Sequence, residues 1–105
     1  MSTDLIKKVI LDVARELGLE IEEVILFGSR AKGTFRRDSD WDVLVILSKP
    51  VERKMELEAY KRIHRELLFK GIKIDPIFIS RDELERVRDD TGFVYYYALR
   101  EGVKI

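Results

Sequence analysis

VILFGSRAKGTFRRDSDWDVLVIL, residues Val24 to Leu47, decides how this chain is read. Two apolar runs rich in β-branched residues flank a polar, basic segment, the pattern of two strands joined by a loop. The first run ends at Gly28-Ser29, and Asp40-Trp41-Asp42 opens the second. Side chains alternate along a strand, so Asp40 and Asp42 share one face at its start, while Trp41 points away from them. Two like charges about 4 Å apart repel by about 4 kcal/mol at an effective dielectric of about 20. A fold gains nothing from that repulsion. A bound Mg²⁺ turns it into attraction, because hard cations take carboxylate oxygens.

The loop supplies the complementary half. Gly28 allows a turn that other residues resist. Ser29 adds a hydroxyl and, with the amides that follow, can line an anion site. Arg30, Lys32, Arg36 and Arg37 make the segment cationic. Carboxylates that hold Mg²⁺ beside a phosphate-binding loop are the arrangement used on nucleoside triphosphates. The candidate nucleotide-binding residues are therefore Gly28, Ser29, Arg30 and Lys32, and the candidate metal ligands are Asp40 and Asp42.

Gly28-Ser29-Arg30-Ala31-Lys32-Gly33 followed by Ser39-Asp40-Trp41-Asp42 resembles the signature of the polymerase-β-like nucleotidyltransferase superfamily. The length and the G-S-R-A-K-G form resemble its small members, the minimal nucleotidyltransferases, which are often paired with a HEPN-domain protein. The resemblance covers nearly the whole chain. It implies transfer of a nucleoside monophosphate from ATP with release of pyrophosphate. It also implies a third catalytic and metal-binding carboxylate from a later strand, which here is Asp75. The implied acceptor is a tyrosine on a HEPN-type toxin, with this chain as the antitoxin.

The 105 residues suit one domain, 1–105, with one modest core. Apolar residues at 46% fit a folded protein. No segment is long and apolar enough to span a bilayer, and Asp4 and Lys7-Lys8 interrupt any secretory pattern. There is no cysteine, which removes disulfides and thiolate metal sites. The expectation is a soluble cytoplasmic protein without membrane contact. Lys plus Arg and Asp plus Glu are 20 each, and this balance argues against a dedicated nucleic-acid binder.

Around the organising stretch, Leu5, Ile6, Val9, Ile10, Val13 and Leu17 fall on one helical face, capped by Ser2 or Thr3 and stopped at Gly18. Glu22 to Phe27 and Trp41 to Leu47 read as antiparallel strands, the second buried on both faces beyond Asp42. Arg30 to Lys32 reads as a short helical turn. Val51 to Lys70 reads as a long helix with Met55, Ala59, Ile63 and Leu67 as its buried stripe, and its lone His64 reads as structural. Ile72 to Ile79 reads as a third strand, parallel to the second across the helical crossover. Asp75 within it is either an edge aspartate facing water or the third acidic residue, and Pro76 points to an edge or a bulge. Ser80-Arg81-Asp82-Glu83 is a capping box that starts a helix to about Val87. Phe93 to Arg100 reads as a last helix, with at least one of Tyr95, Tyr96 and Tyr97 exposed, and Val103 to Ile105 as a small strand. The expected fold is α/β (α+β), a small mixed sheet with helices packed on it.

Two rival functions stay open at this level. One is nucleotidyl transfer to a small hydroxylated compound such as an aminoglycoside. The other is a binding module that masks a partner without chemistry. Homo- or hetero-oligomeric assembly, the choice of Arg30 or Lys32 as phosphate contact, and the role of Asp75 as base or second-metal ligand stay open as well.

Overall fold

The computed structural model describes residues 2–105. The elements are α1 (Ser2–Leu17), β1 (Ile21–Phe27), α2 (Ser29–Lys32), β2 (Trp41–Leu47), α3 (Arg53–Phe69), β3 (Ile74–Ser80), α4 (Arg81–Val87), α5 (Val94–Glu101) and β4 (Val103–Lys104). The four strands form one mixed sheet in the order β3-β2-β1-β4. β1 runs antiparallel to both β2 and β4, and β2 runs parallel to β3. The parallel pair requires a crossover, and α3 provides it.

Alternation along the strands builds two cores. Val24, Leu26, Val43, Val45 and Leu47 face one side, where Ile6, Val9, Ile10 and Val13 of α1 and Ala59, Ile63 and Leu67 of α3 close over them. Ile25, Phe27, Leu44, Ile46 and Ile79 face the other side, against Leu84 of α4 and Ala98 of α5. β2 contributes to both, so Val43 to Leu47 are fully buried. An uninterrupted apolar strand is what a two-sided core demands. No helix among the described residues is long and apolar enough to cross a membrane.

Several boundaries shift from the sequence reading for identifiable reasons. Ser2 and Thr3 lie inside α1, whose first turn also holds Asp4. α3 begins at Arg53 because Glu52 is still extended and its carbonyl accepts the amides of Met55 and Glu56. β3 begins at Ile74 because the Ile72 amide donates to the Leu67 carbonyl, which ties Ile72 to the exit of α3. β3 is an edge strand, where a proline such as Pro76 is tolerated. Ser80 caps α4, its hydroxyl accepting from the Glu83 amide at 3.3 Å. Tyr97 is exposed, while Tyr95 and Tyr96 are partly covered. His64 stacks on Tyr60, with ring centroids 5.7 Å apart.

The far end of the sheet is held by charge. Register slips between Ile21 and Glu23, and Glu22 and Glu23 both reach Arg81 of α4, at 2.9 and 3.3 Å. Lys104 of β4 meets Glu23 at 2.7 Å. These contacts dock α4 and β4 at the end of β1 remote from Gly28.

Close approach at Gly102 joins α5 to β1. A methyl group there would collide with the Ala98 carbonyl and with Ile25 and Leu26 of β1. Its φ of −82° suits any residue, so the demand is purely steric. Gly102→Ala should therefore destabilise the domain by about 1–3 kcal/mol, the usual cost of overpacking. Urea or thermal unfolding of the two proteins checks this, and equal midpoints would contradict it.

Candidate active site

The site lies where three strands end together. Antiparallel register sets Phe27 opposite Asp42, and parallel register sets Asp42 beside Asp75. Phe27, Asp42 and Asp75 thus form a row across β1, β2 and β3. Adjacent strands are about 4.8 Å apart, so the two carboxylates are neighbours on one face. Asp75 shares its strand face with Ile77 and Ile79, and Asp42 with Leu44 and Ile46, the side that α4 and α5 cover further along. Both aspartates are half-buried.

Gly28 follows Phe27 directly and has φ +75°, a conformation that side chains resist. It also presses on Asp42, since a Cβ at this position would collide with the Asp42 Oδ2 atom. The backbone therefore turns against the carboxylate at the point where α2 begins. The Gly28 carbonyl accepts the amides of Ala31 and Lys32 at 3.1 and 3.2 Å, and the Thr34 amide closes the loop on the Ser29 carbonyl at 3.1 Å. Ser29 stands at the first position of α2, whose leading amides have no partner within the helix.

The like charges leave their mark on Asp42. Burial, then Asp75, then Asp40 push its carboxyl above the ordinary value of 3.8. Asp40 is placed differently. It precedes β2, its side chain is 52% exposed, and its Oδ1 lies 3.6 Å from Lys73 Nζ. Among the described residues, no three Asp, Glu or His side chains are gathered to hold a metal ion as they stand. The structure brings Asp42 and Asp75 together and leaves Asp40 beside them, paired to a lysine.

The two cations assigned to phosphate also have partners. Lys32 Nζ lies 3.3 Å from Glu101 of α5. Arg30 turns into its own loop, where Nε and Nη2 donate to the Ser39 carbonyl at 3.3 and 3.0 Å and Nη2 donates to the Arg37 carbonyl at 3.1 Å. Trp41 packs on the α1/α3 core, away from the carboxylates. Sequence reading missed Lys73, Glu101 and the stacking of Phe35 on Arg30. Only Lys73 left a trace, because it precedes Asp75 by two residues and shares its strand parity.

Donor chemistry fits a hard cation. Mg²⁺ keeps several waters and is held by one or two carboxylates together with substrate phosphates, so a pair of neighbouring aspartates suffices from the protein. Without a cation, the pair costs stability. Asp42→Asn should raise the melting temperature of the metal-free protein, because it removes the repulsion from Asp75 and Asp40. The sign follows from the raised pKa. The charged form is disfavoured by folding, so the gain is full at neutral pH, declines as pH falls from the raised folded-state pKa of Asp42, and is gone below the ordinary value of 3.8. Thermal scans of both proteins from neutral to acid pH measure it, and a destabilised Asp42→Asn would contradict it.

Comparison with known proteins identifies the family and the fold. Residues 6–102 match the nucleotidyltransferase domain family. A Methanocaldococcus jannaschii protein, provisionally described as a protein adenylyltransferase, is 32% identical over 78 residues, covering 74% of this chain and 79% of its own. Among solved structures, a toxin–antitoxin complex with AMP-PNP superposes with a TM-score of 0.63 at 18% identity, over 92% of this chain and 69% of that one. A complex of a tri-AMPylated Shewanella oneidensis HEPN toxin with an MNT antitoxin superposes with a TM-score of 0.56 at 16% identity, over 96% and 69%. At these identities the two complexes speak for the fold, which is the mixed sheet with helices expected from the sequence. With the family match spanning nearly all of its length, the chain belongs to the nucleotidyltransferase domain family and is a nucleotidyltransferase.

Proposed function

We propose that this enzyme transfers AMP from ATP to a tyrosine hydroxyl of a HEPN-type protein partner, as the antitoxin of a toxin–antitoxin pair, with Mg²⁺ as cofactor. The observation that carries the chemistry is the row that puts Asp42 beside Asp75 with the Gly28 turn against it. The acceptor rests on the relatives. One is described as a protein adenylyltransferase, and one superposed complex holds an AMPylated HEPN toxin.

Asp42 and Asp75 would hold the cation, with Asp40 beside them as a further carboxylate within the site. Mg²⁺ bound there supplies neutralisation of the phosphate charge that builds up in transfer. Ser29 and the leading amides of α2 hold the terminal phosphates, and Lys32 adds positive charge once it leaves Glu101. The acceptor oxygen attacks the α-phosphorus, the bond from that phosphorus to the bridging oxygen breaks, and pyrophosphate departs with the electron pair. Asp75, half-buried on the edge strand β3, takes the hydroxyl proton.

Each role has its own signature. Asp75→Asn should leave Mg²⁺-ATP affinity within a few-fold while single-turnover transfer falls by about 10²- to 10⁴-fold, the worth of a positioned base. Asp40→Asn and Asp42→Asn should damage both. Gly28→Ala should also lose Mg²⁺-ATP binding, because the new methyl displaces the Asp42 carboxylate. Calorimetry gives the affinities, and intact-mass spectrometry of a HEPN-type protein, incubated with enzyme, ATP and Mg²⁺, gives the transfer. Near-normal transfer by Asp75→Asn would make Asp75 an edge-strand aspartate. A tight complex with no AMP adduct would replace catalysis by masking.

A further inference from the structure

The geometry points to Arg30 as a positioning residue that sets the metal carboxylates by clamping the loop before them, in place of a phosphate ligand. Its guanidinium is sandwiched. The central carbon lies 4.4 Å from the Phe35 ring centroid and 4.5 Å from that of Trp41. Its Nε and Nη2 donate to the carbonyls of Arg37 and Ser39 within the same loop. A planar fork that meets two aromatic rings and backbone carbonyls uses the flat shape and fixed donor directions of arginine, which lysine lacks. A phosphate ligand would instead keep its donors toward the open side of the loop.

The clamped atoms are the ones that matter for the site. The Ser39 carbonyl belongs to the peptide that leads into Asp40. Ser39 also closes the turn beneath it, its hydroxyl accepting the Arg36 amide at 2.8 Å and its amide donating to the Arg36 carbonyl at 3.1 Å. One residue beyond Asp40, the Trp41 amide donates to the Lys73 carbonyl at 2.8 Å and starts the pairing that sets Asp42 beside Asp75. Arg30 therefore acts on Asp40 and Asp42 through the Ser39–Asp40 peptide and through the Trp41 ring. Lys32, Arg36 and Arg37 remain as the cations of the loop that can meet a triphosphate.

Trp41 is the only tryptophan, so its fluorescence reports the clamp directly. Arg30→Lys keeps the charge and loses the fork, whereas Arg30→Gln loses both. Phe35→Leu keeps the arginine and removes one side of the sandwich. With folding checked by circular dichroism, acrylamide quenching of Trp41 in the metal-free protein should rise in both Arg30 variants. Calorimetry should then show Mg²⁺-ATP affinity falling about 10- to 100-fold and alike in the two, as when a partner that orients a metal ligand is lost. Phe35→Leu should shift both readouts the same way by less. Wild-type affinity in Arg30→Lys with loss in Arg30→Gln alone would overturn the inference and make Arg30 a phosphate charge. Unchanged quenching in both Arg30 variants would overturn it as well. The affinity arm rests on the function proposed above, but the quenching arm does not. If the wild-type protein failed to bind Mg²⁺-ATP, that function would fall while quenching still decided the clamp.

Discussion

Two-sided burial of β2 is the constraint on which the rest depends. Val45 and Leu47 belong to one core, Leu44 and Ile46 to the other, and none of them has solvent to turn toward. A slip of one residue would exchange every side chain between the cores and carry Asp42 with them. The register is therefore held by a large apolar free energy, which the repulsion at one end of the strand cannot offset. This allows the sheet to present Asp42 beside Asp75 although neither gains from the other. The carboxylates sit where the apolar rows stop, close enough to the core to be partly desolvated and open enough to receive a ligand.

Charge is distributed accordingly. At the end of β1 remote from Gly28, glutamates meet arginine and lysine, and Arg81 and Lys104 dock α4 and β4 through such pairs. At the other end, Asp42 sits beside Asp75 without an ion pair to either among the described residues, and Lys73 pairs with Asp40. The first arrangement supports the fold. The second costs stability and suits an incoming cation and phosphates, a common trade between stability and function. Gly28 belongs to the same trade, because it accepts a left-handed turn so that backbone can press on Asp42.

The β1–β2 loop shows how a polar segment acquires a shape. It buries too little apolar surface to order itself by packing, and it uses the Gly33 turn, the reciprocal bonds of Ser39 and the stacked Arg30 instead. Arginine in such a place serves geometry as well as charge. This is why four basic residues close in sequence have different positions. Arg30 is folded inward, Lys32 leans on Glu101, and Arg36 and Arg37 are exposed.

Local pattern alone determined a great deal of this protein. Helical and strand periods located α1, β1, β2 and α3 to within a few residues, the capping box located α4, and the Gly28-Ser29 and Asp40-Trp41-Asp42 spacing resembled the right family. These signals are legible because apolar side chains must recur at the period of the element that buries them. What only the tertiary structure decided concerns partners distant along the chain. In sequence, the pattern of Asp75 alone allowed a water-facing edge residue, only the family resemblance favoured a neighbour of Asp42, and the parallel register of β2 with β3 put it beside Asp42. The pairing of Asp40 with Lys73, of Lys32 with Glu101, and the turn of Arg30 toward Phe35 and Trp41 follow from packing across the fold. A side chain's period says which face it leaves from, but what it meets there depends on elements that only the closed core brings near.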